Sequence, residues 1–178
     1  FQGTFGAYSH LAALSVDPDA EIIPCKTFDD CFNKASVEPD CKIIIPESNR
    51  ITGNIGVEYL IFKYRLNIYS EHFHPVHHHL LGLKGSKLED IKNVYSHAQG
   101  LSQSSKFIKK NKFIENVRAD TAGSAEYVSK TKDKSAAAIA SSLSAKIYNL
   151  DILASNIEDE LENVTRFLIM GKSVIQPD

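Results

Sequence analysis

The four residues Lys42-Ile43-Ile44-Ile45, closed by Pro46, constrain the fold of this chain more than any other stretch. Three successive β-branched side chains suit a strand covered on both faces better than one with a wet side. Helical patterns flank it. Thr27 is placed to cap a helix near Asp30, and Phe28, Cys31, Phe32 and Ala35 then form an apolar stripe. After a turn containing Gly53, an amphipathic helix near Ile55 to Phe62 turns Val57, Leu60 and Ile61 inward. Upstream, a helix from Tyr8 to Val16 presents Leu11, Ala12 and Leu14 on one side, and a short strand follows at Glu21 to Pro24. Strands alternating with helices predict an α/β fold built on a mainly parallel sheet.

A second unit begins around Phe73. It has a strand from Val76 to Gly82, a short helix capped by Ser86 with Glu89 three residues on, a strand Asn93 to Ser96 and a helix Leu101 to Lys110. Asp120-Thr121 then caps a helix over Ala122 to Lys130, followed by a strand Ala136 to Ala140 and a helix Ser142 to Tyr148. Strands at Leu153 to Ile157 and Thr165 to Met170 are placed to return to the first sheet. The expected organisation is therefore two lobes, 1–72 with 155–178 and 73–154, each a mainly parallel sheet flanked by helices, touching around a cleft.

Composition narrows the partners. The 178 residues carry a formal net charge of -2, and the 20 basic residues are scattered, so no nucleic-acid face is expected. Apolar runs such as Ala136 to Ala140 fall far short of the roughly 20 residues of a spanning helix, so no membrane association is expected. Phe1-Gln2-Gly3 has no basic-then-apolar leader, and the three cysteines, Cys25, Cys31 and Cys41, lack metal spacing, which together predict reduced thiols in a cytoplasmic protein. The histidine-rich stretch His72 to His79 is not a convincing metal site. On a strand His77 and His79 share one face and His78 takes the other, so the row does not converge on one ion.

The residues with chemistry to offer lie near the C-terminus and in the turns after strands. Asn163-Val164-Thr165-Arg166-Phe167 sets a hydroxyl beside a permanent cation whose planar fork suits a carboxylate. That points to an anionic substrate, although the same segment also suits a turn with a surface cation. Three turns, Gly3 to Ser9, Glu47 to Asn54 and Asp120 to Ser124, sit between predicted strands and helices, where anions meet helix N-termini. Glu47 is expected to be partly desolvated and in reach of Arg166. His97 and Gln99 end a strand, facing the cleft or completing the turn. A Ser96-His97 dyad is disfavoured because neighbours on a strand point to opposite faces.

Seven motifs combine: Phe1-Gln2-Gly3-x-x-Gly6-Ala7-Tyr8-Ser9, Pro46-Glu47, His78-x-Leu80-Leu81, Ser96-His97-x-Gln99-x-Leu101-x-Gln103, Asp120-Thr121-Ala122-Gly123-x-Ala125, Ala138-Ile139-Ala140-Ser141 and Asn163-x-Thr165-Arg166-Phe167. In this order, from Phe1 to about Met170, the chain resembles prephenate dehydratase. The resemblance implies a two-lobed, periplasmic-binding-protein-like (type II) fold with its active site between the lobes. It also implies a cofactor-free and metal-free reaction in which prephenate loses carbon dioxide and water to give phenylpyruvate, on the way to phenylalanine. By motif, Thr165 lies at the leaving hydroxyl, Arg166 anchors a carboxylate, and Glu47 completes the catalytic set. Tyr8, Ser9, Asn49, His97, Gln99, Thr121, Ala122, Gly123, Asn163 and Phe167 line the substrate site. Likeness to the family also implies a homodimer or homotetramer.

The chain departs from the family where Ser48-Asn49 follows Glu47 in place of Asn-Ser and where Thr4-Phe5 replaces Glu-Pro. Ala98, Gly100 and Ser104 stand for the usual Pro, Ala and Cys. Relatives continue into a phenylalanine-sensing ACT domain, which is not expected within these 178 residues. Arogenate dehydration and a non-catalytic anion-binding module on the same scaffold are the alternatives.

Overall fold

A computed structural model describes residues 1–173 of the chain. In chain order its elements are α1 (Tyr8–Val16), α2 (Phe28–Val37), β1 (Ile43–Asn49), β2 (Gly53–Asn54), α3 (Glu58–Tyr64), β3 (Asn67–Pro75), β4 (His79–Gly82), β5 (Asn93–Ser96), α4 (Ala98–Ser102), α5 (Ser105–Asn111), β6 (Ile114–Val117), α6 (Thr121–Lys130), β7 (Ala136–Ala140), α7 (Ser142–Ile147), β8 (Asp151–Ala154) and β9 (Val164–Gly171). They divide into two units. The first holds Phe1–Thr4, Ser9–Pro75 and the segment from Glu162 onward, and the second holds Phe5–Tyr8 and Val76–Leu161.

In the first unit the sheet order is β2-β1-β9-β3, and each of these pairings is antiparallel. This corrects the expectation of a mainly parallel sheet. The cause is β3, nine residues whose side chains are mostly exposed, so that no apolar run announces them in the sequence. With β3 at the edge, β9 inserts between it and β1 and runs opposite to both. The expected strand at Glu21 to Pro24 does not form, although an isolated parallel bridge joins Gln2 to Cys25 just beyond it.

Helices α2 and α3 cover one face of that sheet. Cys31, Phe32, Ala35, Val57 and Leu60 pack there against Ile43, Ile45, Leu168 and Met170. Phe32 is fully buried, which by itself is worth about 2–3 kcal/mol of apolar transfer. The expected cap on α2 is present in full. Asp30 N–H donates to Thr27 Oγ1 at 3.1 Å, and Thr27 N–H donates to Asp30 Oδ2 at 3.1 Å.

The second unit has the sheet order β6-β5-β7-β4-β8. Here β5 is parallel to β6 and β7, while β4 is antiparallel to β7 and β8. The central strand β7 is Ala136-Ala137-Ala138-Ile139-Ala140, buried at every position, and its small side chains leave room for α6 to pack closely. Two expected strands are re-cut. The run from Val76 to Gly82 is not one strand, because β3 stops at Pro75 and β4 starts at His79. The strand expected at Leu153 to Ile157 is Asp151–Ala154 and stays in the second sheet beside β4. Ile157 N–H donates to the His78 carbonyl at 2.9 Å and its side chain joins the core, which holds the segment there. No helix among the described residues is long and apolar enough to cross a membrane.

Candidate active site

In the first unit, Thr165 occupies the second position of β9 and is 8% exposed. Its cross-strand partner on β1 is Asn49, and the two side chains touch. Asn49 Oδ1 accepts the backbone N–H of Ile51 at 3.0 Å and of Thr52 at 3.2 Å. Backbone amides only donate, so the orientation of the Asn49 amide is settled by its partners. Its Nδ2 then donates to Asn163 Oδ1 at 2.8 Å and to Thr165 Oγ1 at 2.9 Å. Because the Thr165 oxygen accepts this bond, the Thr165 proton points away from Asn49 and is available to a third group.

Arg166, the next residue, faces the other way. Its Nε donates to Glu71 Oε2 at 2.7 Å and its Nη1 to Glu47 Oε2 at 3.3 Å, and together these raise its pKa, the Glu71 bond contributing most. A cavity of about 410 Å³ lies on this side, lined by Glu47, Glu58, Ile61, Glu71, Arg166 and Leu168 among others. Thr165 and Arg166 thus face opposite sides of the sheet, as adjacent strand positions do, and two glutamates engage the guanidinium. Glu47 sits in a β-bulge between Pro46 and Ser48, where it also accepts from Ser48 Oγ at 2.6 Å. Phe167 is 1% exposed and packs edge-on against His74, so it is a core residue. Asn163 is 1% exposed and serves Asn49. Ser9, in α1, is buried at 8% exposure.

In the second unit, Tyr8 opens a polar chain. Its hydroxyl lies 2.7 Å from His78 Nδ1 and 2.9 Å from the His77 carbonyl, while His78 Nε2 lies 2.8 Å from Gln103 Oε1. The Tyr8 hydroxyl has one proton, which it donates to the His77 carbonyl or shares with His78 Nδ1, and the His78 tautomer follows from that choice. Burial, then the charge of Glu158, pushes the Tyr8 pKa well above its usual value, and burial lowers that of His78. His97 is the N-cap of α4, with Nδ1 accepting the Gln99 N–H at 3.2 Å, and both residues are exposed. Thr121 and Ala122 form the first turn of α6. The Gly123 amide is not open to a ligand as expected, since it donates to the cap residue Asp120 at 2.6 Å.

A family model for prephenate dehydratase matches residues 1–174. The chain belongs to the prephenate dehydratase family. Arogenate dehydratase/prephenate dehydratase 1, chloroplastic, from Arabidopsis thaliana is 43% identical over 99% of this chain and 45% of its own length, and arogenate dehydratase 2 from Petunia hybrida is 38% identical over similar shares. The chain thus spans less than half the length of these curated relatives. Among solved structures, GqqA, described as a novel type of quorum quenching acylase, superposes with a TM-score of 0.92 at 33% identity, over 99% of this chain and 64% of that one. A prephenate dehydratase from Arthrobacter aurescens, solved in complex with L-Phe, gives a TM-score of 0.90 at 24% identity, over all of this chain and 61% of that one. Such neighbours carry the periplasmic-binding-protein-like type II fold, to which this chain's two sheets with flanking helices conform.

Two residues of this prephenate dehydratase family member escaped the list of candidates drawn from sequence. Gln103 was visible in a motif, but its role in holding His78 was not. Glu158 gave no signal: its side chain is 1% exposed, yet it accepts from His77 Nδ1 at 2.8 Å and from the His78 N–H at 2.9 Å. A buried carboxylate needs such donors, and they come from 80 residues away. Among the described residues no group of three or more His, Cys, Asp or Glu is placed to hold a metal ion.

Proposed function

We propose that this chain is the catalytic part of a dehydratase that converts prephenate to phenylpyruvate, carbon dioxide and water. The observation that carries this reading is the Thr165 hydroxyl, fixed as an acceptor toward Asn49 at 2.9 Å and so left with a proton to give. The chemistry asks for that. Breaking the ring C–O bond of a dicarboxylate while carbon dioxide leaves would release hydroxide unless a proton arrives with it, and a positioned donor lowers that barrier. Aromatisation supplies the driving force, so no cofactor enters. Thr121 and Ala122 in the first turn of α6, together with His97, Gln99, Tyr8 and Ser9, are assigned to the substrate carboxylates and ring. Asn163 and Phe167 support the Thr165 strand from within the core. Arg166 and Glu47 enter as a brace on that strand and not as groups that touch substrate.

Arogenate is the second reading, favoured by the names of the plant relatives, which include both activities. The test is direct. Purified protein incubated with prephenate should yield phenylpyruvate, followed by its absorbance in alkali, whereas arogenate turnover yields phenylalanine. Ligand binding without either product would support the anion-binding module instead. We place the protein in the cytoplasm, in keeping with three unpaired thiols, and as a homodimer or homotetramer, to be measured by light scattering; several plant relatives are named chloroplastic.

A further inference from the structure

In the second unit β6, β5 and β7 run parallel, so their carboxyl ends share one edge of the sheet, and ligands of open α/β sheets lie along such an edge. His97 follows β5 there, and Thr121 and Ala122 open α6 after β6. The antiparallel strand β4 brings its first residue to the same edge, where His79 stands opposite Ala140 at the end of β7. His77 leads into that strand. Its side chain is 48% exposed, yet the ring is held: Nδ1 lies 2.8 Å from Oε1 of Glu158, whose side chain is 1% exposed. Glu158 is fixed in turn, because its Oε2 accepts the His78 N–H at 2.9 Å. A carboxylate only accepts, so Nδ1 carries a proton and Nε2 is the nitrogen left for a ligand. Nε2 has no partner among the described residues. The Tyr8 hydroxyl lies 2.9 Å from the His77 carbonyl, which sets the same backbone beside a residue of the proposed substrate set.

Resting on the dehydratase reading, we propose that His77 is the cation that binds the side-chain carboxylate of prephenate, its Nε2–H donating as an imidazolium, and that Glu158 is the residue that positions the ring. The site needs such a charge. Arg166 is engaged by Glu71 and Glu47. His97 uses Nδ1 as the acceptor that caps α4, so it gains a second proton only by giving up that cap. The N–H groups at the start of α6 offer only partial charge. Of the two carboxylates, the one on the ring departs as carbon dioxide, and a cation held against it would stabilise the charge that the reaction removes. The side-chain carboxylate keeps its charge throughout. A fixed cation there binds substrate, transition state and product alike, which lowers KM and leaves kcat unchanged.

The test compares wild type with His77→Gln and Glu158→Gln in steady-state kinetics with prephenate and in calorimetric titration with phenylpyruvate, the product that retains the side-chain carboxylate. His77→Gln should raise the prephenate KM about tenfold or more, with kcat within about threefold of wild type, and should weaken phenylpyruvate binding by a similar factor. Glu158→Gln, shown to be folded by circular dichroism, should shift both in the same direction. A merely structural His77 would lower Tm and leave KM and product affinity at their wild-type values. A wild-type KM in His77→Gln, or a loss confined to kcat, overturns the proposal. So does a raised KM with phenylpyruvate affinity unchanged, because the lost contact would then lie elsewhere on the substrate. Wild-type protein that makes no phenylpyruvate from prephenate would instead sink the dehydratase reading, while the phenylpyruvate titration still tests His77, which separates the two failures.

Discussion

Exchanging one nitrogen for oxygen at Asn49 reverses the direction of the hydrogen bond to Thr165. In Asn49→Asp the carboxylate cannot donate, so the Thr165 O–H would turn inward to it and away from substrate. We expect kcat to fall by about 10²-fold at pH 7, with ligand binding retained. Burial raises a carboxyl pKa, so part of the activity should return as pH falls and the Asp regains a proton to donate. Recovery at low pH in the rate profile checks this, and an equally inactive enzyme at every pH would contradict it. Arg166 gives the opposite expectation. It is 41% exposed and bound to two glutamates, so Arg166→Met should cost about 1 kcal/mol or less and raise KM less than tenfold. A substrate anchor would raise KM by far more, and steady-state kinetics separate the two. The hydroxyl itself was legible in the sequence. Its partner was not, because the pairing of residues 116 positions apart depends on strand register.

At the scale of elements, Gly6 and Glu158 do the least obvious work. Gly6 has φ +93, and its carbonyl accepts from Ser141 Oγ at 2.6 Å and Ser144 Oγ at 3.0 Å, tying the loop before α1 to the start of α7. A Cβ at Gly6 would meet Ser144 Oγ at 2.5 Å. Gly6→Ala should therefore cost about 1–3 kcal/mol, a fall in Tm of roughly 3–10 °C measured by circular dichroism. Glu158 joins the segment before β4 to the one after β8. Burial would raise its pKa, but the hydrogen bonds from His77 and from backbone N–H groups outweigh it and leave the carboxyl below its usual range. Its stabilising effect is thus full above about pH 4.5 and is lost as pH falls through the depressed value. Buried His78 adds to this from higher pH, since its lowered pKa resists the charge that the unfolded chain accepts below about 6.5. Tm should decline from about pH 6.5 downward. Glu158→Gln should lower Tm at pH 7 and flatten the steepest part of the fall below about pH 4.5.

For the whole molecule, the sequence announced what local chemistry decides and concealed what distant pairing decides. The α2 capping box, the β-branched strand β1 and the all-apolar strand β7 stand in short stretches of the chain. By contrast, β3 is a row of exposed side chains whose identity as a strand comes only from pairing with β9, and that pairing makes the first sheet antiparallel. Arg166 points away from Thr165 for a local reason, since neighbours on a strand face opposite sides. Each unit is drawn from separate stretches of chain, Phe1–Thr4 lying with Ser9–Pro75 and the segment from Glu162 onward. The central claim remains that the Thr165 hydroxyl gives a proton to a departing ring hydroxyl. Phenylpyruvate formation from prephenate by wild type and Thr165→Ala, followed in alkali alongside ligand binding by calorimetry, tests it most directly. The account predicts product from wild type and a loss of about 10²-fold or more in kcat with binding kept in the variant; equal turnover by the two proteins would contradict it.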